Sequence, residues 1–418
     1  MSEANNSDDN ILDPWEIPLD GSFNVAQPQL FQQDAQWGYF ERLRSEAPIH
    51  LCEESEFGPY WSVTKYKDIM SVDTNHQVFS SEGGITIGDQ DEDFQLPMFI
   101  AMDPPKHDDQ RRVVSPVVAP MNLAKLESTI RTRAAGLLDA LPVGEEIDWV
   151  DNISIELTTQ MLATLFDFPF EDRRKLTRWS DVATASPETG LIESEEQRRE
   201  ELIECLTVFT EIFKDRQKNP GENDLITMLA HGESTRDLLD RPMEYLGNLI
   251  LLIVGGNDTT RNSISGGVLA LNENPDQYRK LKENPRLIPN MVPEIIRWQT
   301  PLAHMRRRAI EDIELGGQQI KAGDKVVMWY VSGNRDGEAI ESPNDFIIDR
   351  AKPRQHLSFG FGIHRCMGNR LGEMQLKIVW EEILKRFETV EVVGEPSRVY
   401  STFVKGYTHL PVVLHPKK

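Results

Sequence analysis

Positive charge is what this chain has least of. Lys and Arg number 45 against 68 Asp and Glu, so 418 residues carry a formal net charge of -23. A surface of that sign repels nucleic-acid phosphates and anionic lipid headgroups, and it argues against both as general partners. Cysteine is scarce: Cys52, Cys205 and Cys366 are the whole set of 3, with no CxxC and no metal-type spacing. So odd and sparse a set builds no disulfide framework and fits a reducing compartment. Long apolar runs are missing too. The strongest, 249–254, is far too short to span a bilayer. The first residues hold neither the basic nor the apolar stretch of a signal peptide. The expectation is a cytoplasmic protein with no membrane span.

What is present is an unusual density of helix signals. Residues 1–25 are polar and acidic and read as a flexible tail. The rest, 26–418, reads as one domain that buries about three quarters of its unfolded surface. An amphipathic helix is expected at 36–46, strands at 49–52 and 60–64, and a small helix at 65–73. A long Gly-, Phe- and Met-containing loop follows at 80–103. From 104 to about 300 the pattern is almost wholly helical, punctuated by prolines. Residues 306–330 alternate around Gly316-Gly317 and predict short hairpins. The fold class is mainly α with small peripheral β-sheets.

The chemistry concentrates in Phe359-Gly360-Phe361-Gly362-Ile363-His364-Arg365-Cys366-Met367-Gly368. The glycines permit positive φ and let the backbone approach a flat ligand. The loop delivers one thiol to a helix N-terminus, whose free N–H groups favour thiolate. Phe359 stands seven positions before Cys366 and can shield the sulfur. The pattern Phe-x-x-Gly-x-His-x-Cys-x-Gly resembles the haem-binding loop of the cytochrome P450 superfamily. The resemblance implies a single haem domain holding a b-type haem (heme b), its iron ligated by Cys366.

A second motif supports it. The helix expected at 242–272 carries Gly255-Gly256-Asn257-Asp258-Thr259-Thr260, similar to the family's Ala/Gly-Gly-x-Asp/Glu-Thr-Thr. At 3.6 residues per turn Leu251, Val254, Gly255, Asp258, Thr259 and Asn262 are expected on one face. The resemblance makes Asp258 and Thr259 the catalytic pair that delivers protons during dioxygen use. A threonine here can also bond to the carbonyl one turn back and open the helix.

Glu294 and Arg297 sit at i,i+3 and resemble the family's ExxR pair, with Arg350 as third member; their implied role is structural. Asp103-Pro104-Pro105-Lys106-His107 through Arg111 resembles the family's entry to a helix that holds haem propionates. His107, Arg111, Arg307 and His364 are the implied propionate ligands, and His364 departs from the commoner Arg. Gly337 stands where the family usually has Pro, which predicts a looser meander after Asn334.

Between 350 and 370 stand Arg350, Lys352, Arg354, Arg365 and Arg370 with no acid among them. Such a basic patch predicts docking of an acidic iron–sulfur ferredoxin, itself fed by an NAD(P)H-dependent reductase. The 299–307 segment resembles the alkane and fatty-acid terminal-hydroxylase branch. The expected pocket is Ile85, Leu96, Met98, Phe99, Ile100, Met102, Leu251, Val254, Gly255, Leu302 and Phe403. Together these imply a monomeric monooxygenase that hydroxylates linear hydrophobic substrates at the terminal methyl. A terpenoid or aromatic substrate, a peroxide-driven enzyme and a haem sensor without turnover stay open.

Overall fold

The helix Pro242–Glu273 organises the molecule. A proline at its first turn starts it, and most of its residues are buried on every side. A helix that is apolar all round belongs inside a protein, and here neighbours cover it. The helices Glu156–Phe166, Arg174–Thr184, Ile288–Gln299 and Asn369–Arg386 all pack against it. The computed structural model describes residues 11–185 and 187–417.

The sheets lie at the periphery. A five-stranded sheet runs in the order Ile49–Cys52, Tyr60–Val63, Lys325–Met328, Met305–Ala309, Phe79–Ser80. Only the Tyr60–Val63 and Lys325–Met328 neighbours are parallel. A three-stranded sheet joins Glu146–Asp148, Pro411–Pro416 and Phe387–Val392. The expected hairpin forms between Ile313–Leu315 and Gln318–Ile320, with φ of +56° and +82° at Gly316 and Gly317.

One expectation is corrected. The flexible tail was placed at 1–25, and residues 1–10 lie outside the described residues. From Ile11 onward the segment is packed. Phe23 and Val25 are buried in a cluster with Tyr39, Phe40 and Trp329. Tyr39 donates its hydroxyl to the Leu12 carbonyl at 2.9 Å, and Arg42 donates to the Ile17 carbonyl at 2.7 Å. The acidic composition hid a short apolar stretch, 23–26, which needed a partner surface to be visible as core.

The meander is anchored at its start by Asn334. Asn334 accepts from the Leu357 amide at 2.7 Å and donates to Thr300 and Ser358, both at 2.9 Å. Those three bonds tie the segment on both sides, whatever stands at Gly337.

Candidate active site

Cys366 is held by the loop expected to hold it. Its amide donates to the Phe359 carbonyl at 2.7 Å. Gly360 and Gly362 adopt φ of +62° and +67°, and a Cβ on Gly362 would stand 2.6 Å from the Asp73 carbonyl. Only glycine satisfies both demands at that point. Gly368 caps the helix Asn369–Arg386. The thiol is exposed only into an internal cavity, which it lines with Phe359, His364 and Gly368. Burial raises the thiol's pKa, while the Gly368 and Asn369 amides with Arg111 and Arg365 pull it down. A positively charged metal ion at the sulfur would favour thiolate further.

That cavity measures about 770 Å³. Leu251, Val254, Gly255 and Thr259 line it from the long helix, and Met98, Leu302 and Phe403 from the loops. Nothing stands within 4 Å of where a Gly255 side chain would begin. Of the expected apolar wall only Met102 is misplaced: it is buried among neighbours and does not face the cavity.

The Thr259 hydroxyl donates to the Gly255 carbonyl at 2.8 Å, and the long helix runs on through this turn without a break. Ser263 repeats the contact one turn on, to the Thr259 carbonyl at 2.8 Å. The cavity face therefore follows the stripe Gly255, Thr259, Ser263. Asp258 stands about 100° around the helix from Thr259 and is not on that face. It is fully buried, 2.9 Å from Arg261, and accepts from Ser180 at 3.1 Å and Asn257 at 3.2 Å. Its other oxygen, Oδ2, has no partner. Burial pushes its pKa up to about 6 against the pull of Arg261. Asn262 likewise turns away, accepting from the Tyr407 amide at 3.1 Å. The shared face is thus corrected for these two residues. Their polar side chains found partners on neighbouring elements, which spacing along one helix does not reveal.

The expected cations gather at one edge of the cavity. Arg111, Arg307 and His364 line it; His107 stands behind, its ring 4.3 Å from that of His364. His107 Nδ1 lies 2.7 Å from Asp108, but its Nε2 and both ring nitrogens of His364 are buried without partners. Burial lowers His364 to about 2, with Arg307, His107 and Arg111 adding repulsion. Unpartnered buried nitrogens are costly and are normally satisfied by a ligand or water. A flat group with an anionic edge, ligated by Cys366 and lying against Gly255, fits this site. Haem is such a group.

The sequence offered no sign of Asp73. It lies buried in the short helix Tyr66–Thr74, accepting from Arg307 and Tyr330 at 2.8 Å and from the Phe361 amide at 2.7 Å. One carboxylate thus orients Arg307 and braces the cysteine loop. No motif surrounds it, so only the fold exposes its role.

The buttress is complete. Glu294 and Arg297 are both fully buried and bonded at 2.7 Å and 2.8 Å. Arg350 joins Glu294 at 3.0 Å, and Arg297 donates to the carbonyls of Asn334, Pro343 and Asp345. The basic stretch is thinner than its count. Arg350 is consumed here and Arg354 pairs with Glu373 at 2.8 Å, which leaves Lys352, Arg365 and Arg370 exposed.

Comparison with known proteins agrees. The sequence model described as Cytochrome P450 matches residues 191–406. The chain is 37% identical over 409 residues to a linalool 8-monooxygenase of Pseudomonas putida, covering 94% of this chain and 99% of that one. It is 32% identical over 413 residues to a methyl-branched lipid omega-hydroxylase of Mycobacterium tuberculosis, 96% of each. A solved cytochrome P450-153 from Novosphingobium aromaticivorans superposes with a TM-score of 0.88 at 46% identity, over 94% of this chain and 100% of that one. No helix among the described residues is long and apolar enough to cross a membrane. The chain belongs to the cytochrome P450 family and is a haem-thiolate monooxygenase that uses dioxygen and a redox partner.

Proposed function

We propose that this enzyme hydroxylates linear or sparsely branched hydrophobic chains at the terminal methyl, with electrons from an external iron–sulfur ferredoxin. The carrying observation is the wall around the thiol's cavity: Met98, Phe99, Leu251, Val254, Leu302 and Phe403 converge on it. Among the charged lining residues, Asp91 and Arg199 pair with each other near solvent and mark the mouth. A methylene chain suits such a channel, each buried CH₂ contributing about 0.8 kcal/mol. When bound, thiolate-ligated haem supplies the oxidant: one oxygen atom enters a C–H bond and the other leaves as water. A terminal C–H is stronger than its neighbour, so the wall must withhold the inner methylenes. A bias of about 1.4 kcal/mol suffices for a tenfold product ratio.

Thr259 presents its hydroxyl to the cavity and holds a proton-donating water there. Asp258 refills that position from behind through its unpartnered oxygen. Cys366 would ligate the iron, while Arg111, Arg307 and His364, with His107 behind, would hold the propionates. The omega-hydroxylase relative supports a chain-like substrate. The linalool 8-monooxygenase relative favours a second reading, a terpenoid substrate. Product analysis with n-octane, octanoic acid and linalool, driven by ferredoxin, reductase and NADH, separates them. Mainly primary alcohols from the linear chains support the proposal. Mainly secondary alcohols, or turnover of linalool alone, overturn it.

A further inference from the structure

His304 lies in the loop between the helix Ile288–Gln299 and the strand Met305–Ala309, fully buried and outside the cavity lining. Its two ring nitrogens bond in opposite senses. Nε2 accepts from the Ile87 amide at 3.0 Å, so it carries no proton. Nδ1 therefore carries the proton and donates it to the Thr402 carbonyl, 2.9 Å away. One neutral tautomer satisfies both. The ring also packs on Trp329 and Phe403, with centroids 4.9 Å and 5.4 Å away.

The two backbone groups it joins belong to two separate segments of the cavity lining. Ile85, Thr86 and Gly88, which flank Ile87, line the cavity, and so does Phe403, which follows Thr402. Leu302 lines it beside them and bridges to Val404. These segments lie far apart in sequence, and His304 is the side chain bonded to both. The far end of the same loop is hung separately, from the Phe99 amide to Asn248 at 2.9 Å.

We infer that His304 is a positioning residue that sets which carbon of the substrate is oxidised, by clamping the 85–88 wall to the 402–403 wall. It touches neither substrate nor haem. With the clamp intact, Leu302 and Phe403 are held in a fixed position relative to Ile85 in the cavity lining. Without it, the Ile87 amide and the Thr402 carbonyl are left unpaired and shift to find partners, while the backbone bonds from Ala303 to Phe403 and from Arg306 to Ile85, both 2.8 Å, still hold the segments nearby. The inference rests on the chain-like substrate proposed above, which the test keeps distinct.

Three variants of the haem-loaded enzyme test it. His304→Phe keeps the packing on Trp329 and removes both bonds. His304→Gln places its amide oxygen near Nε2 and keeps the Ile87 bond. His304→Asn places its amide near Nδ1 and keeps only the Thr402 bond. The readouts are the primary-to-secondary alcohol ratio from n-octane and hydrogen exchange of the Ile87 amide. For His304→Phe and His304→Asn the ratio is expected to fall tenfold or more and Ile87 to exchange faster. For His304→Gln, which leaves the Thr402 carbonyl unpaired, the ratio is expected to fall as well, while exchange at Ile87 stays within about threefold of the parent. If His304→Phe folds and keeps the parent ratio, the inference is overturned. If that variant fails to incorporate haem, parent-like ratios in the Gln and Asn variants overturn it. Should the parent oxidise linalool and not n-octane, the substrate reading fails. The exchange difference at Ile87 and the product ratio from linalool then decide the role of His304.

Discussion

Thr259 and Asp258 are neighbours in sequence that face different environments, and their substitution should separate two kinds of failure. Thr259 reaches the cavity and Asp258 is buried against Arg261. Thr259→Ala should leave NADH consumption running while product falls several-fold and hydrogen peroxide rises. Equal coupling in mutant and parent would remove Thr259 from proton delivery. Cys366→Ser should abolish the thiolate-type spectrum of the reduced carbon monoxide complex. Cys52→Ser, a change at a buried site with no haem motif, should leave that spectrum intact. His304 makes a pH prediction. Burial lowers it from 6.5 to about 4, partly offset by its bond to Thr402, with Arg306 adding repulsion. The unfolded chain therefore binds a proton that the folded chain refuses. Stability must fall as pH drops from 6.5 towards about 4, by up to about 1.4 kcal/mol per pH unit for this group. His304→Gln removes that share, so its denaturation midpoint should depend less on pH than the parent's across this window. Parallel curves would show that His304 does not titrate on unfolding.

Among elements, the helix Ile288–Gln299 and the meander that leads to the cysteine loop are coupled through Glu294, Arg297 and Arg350. All three are buried, so removing one partner strands the others' charge. Such a break costs roughly 3–5 kcal/mol. Glu294→Gln should therefore lower haem incorporation and the unfolding midpoint. Wild-type haem content together with unchanged stability would deny the network its structural role. The helix pair itself was legible: acid and base at i,i+3 need no tertiary information. That the pair is anhydrous, and bonded to three backbone carbonyls of the meander, was not.

Over the whole molecule, the excess of negative charge is interrupted near the cysteine loop. Lys352, Arg365 and Arg370 remain exposed there after internal pairing, on a chain of net charge -23. An acidic ferredoxin would be steered to that face, and steering of this kind weakens as salt screens it. Ferredoxin-driven turnover should fall several-fold on raising salt from about 0.05 M to 0.5 M, over which the Debye length shrinks about threefold. Lys352→Glu with Arg370→Glu should reproduce the loss at low salt and leave substrate binding, read by the haem spectrum, unchanged. Salt-independent turnover in the parent would place the docking face elsewhere.

Local chemistry determined much of this protein before any fold was known. A glycine-bent loop ending in a cysteine, a Gly-Gly-Asn-Asp-Thr-Thr turn of helix and an acid–base pair one turn apart each function within a few residues. Their spacing therefore carried them. Helix and strand positions followed for the same reason, since period and proline punctuation are local. Packing decided the rest. Asp258 is held off the cavity face by Ser180 and Arg261, which a neighbouring helix and the next turn bring within reach. Phe23 and Val25 became core because Tyr39 and Phe40 presented a surface to them. Asp73 and His304 acquired their roles from groups more than two hundred residues away in sequence. A buried polar side chain is satisfied by whatever the fold brings within about 3 Å, and no stretch of sequence states what that will be.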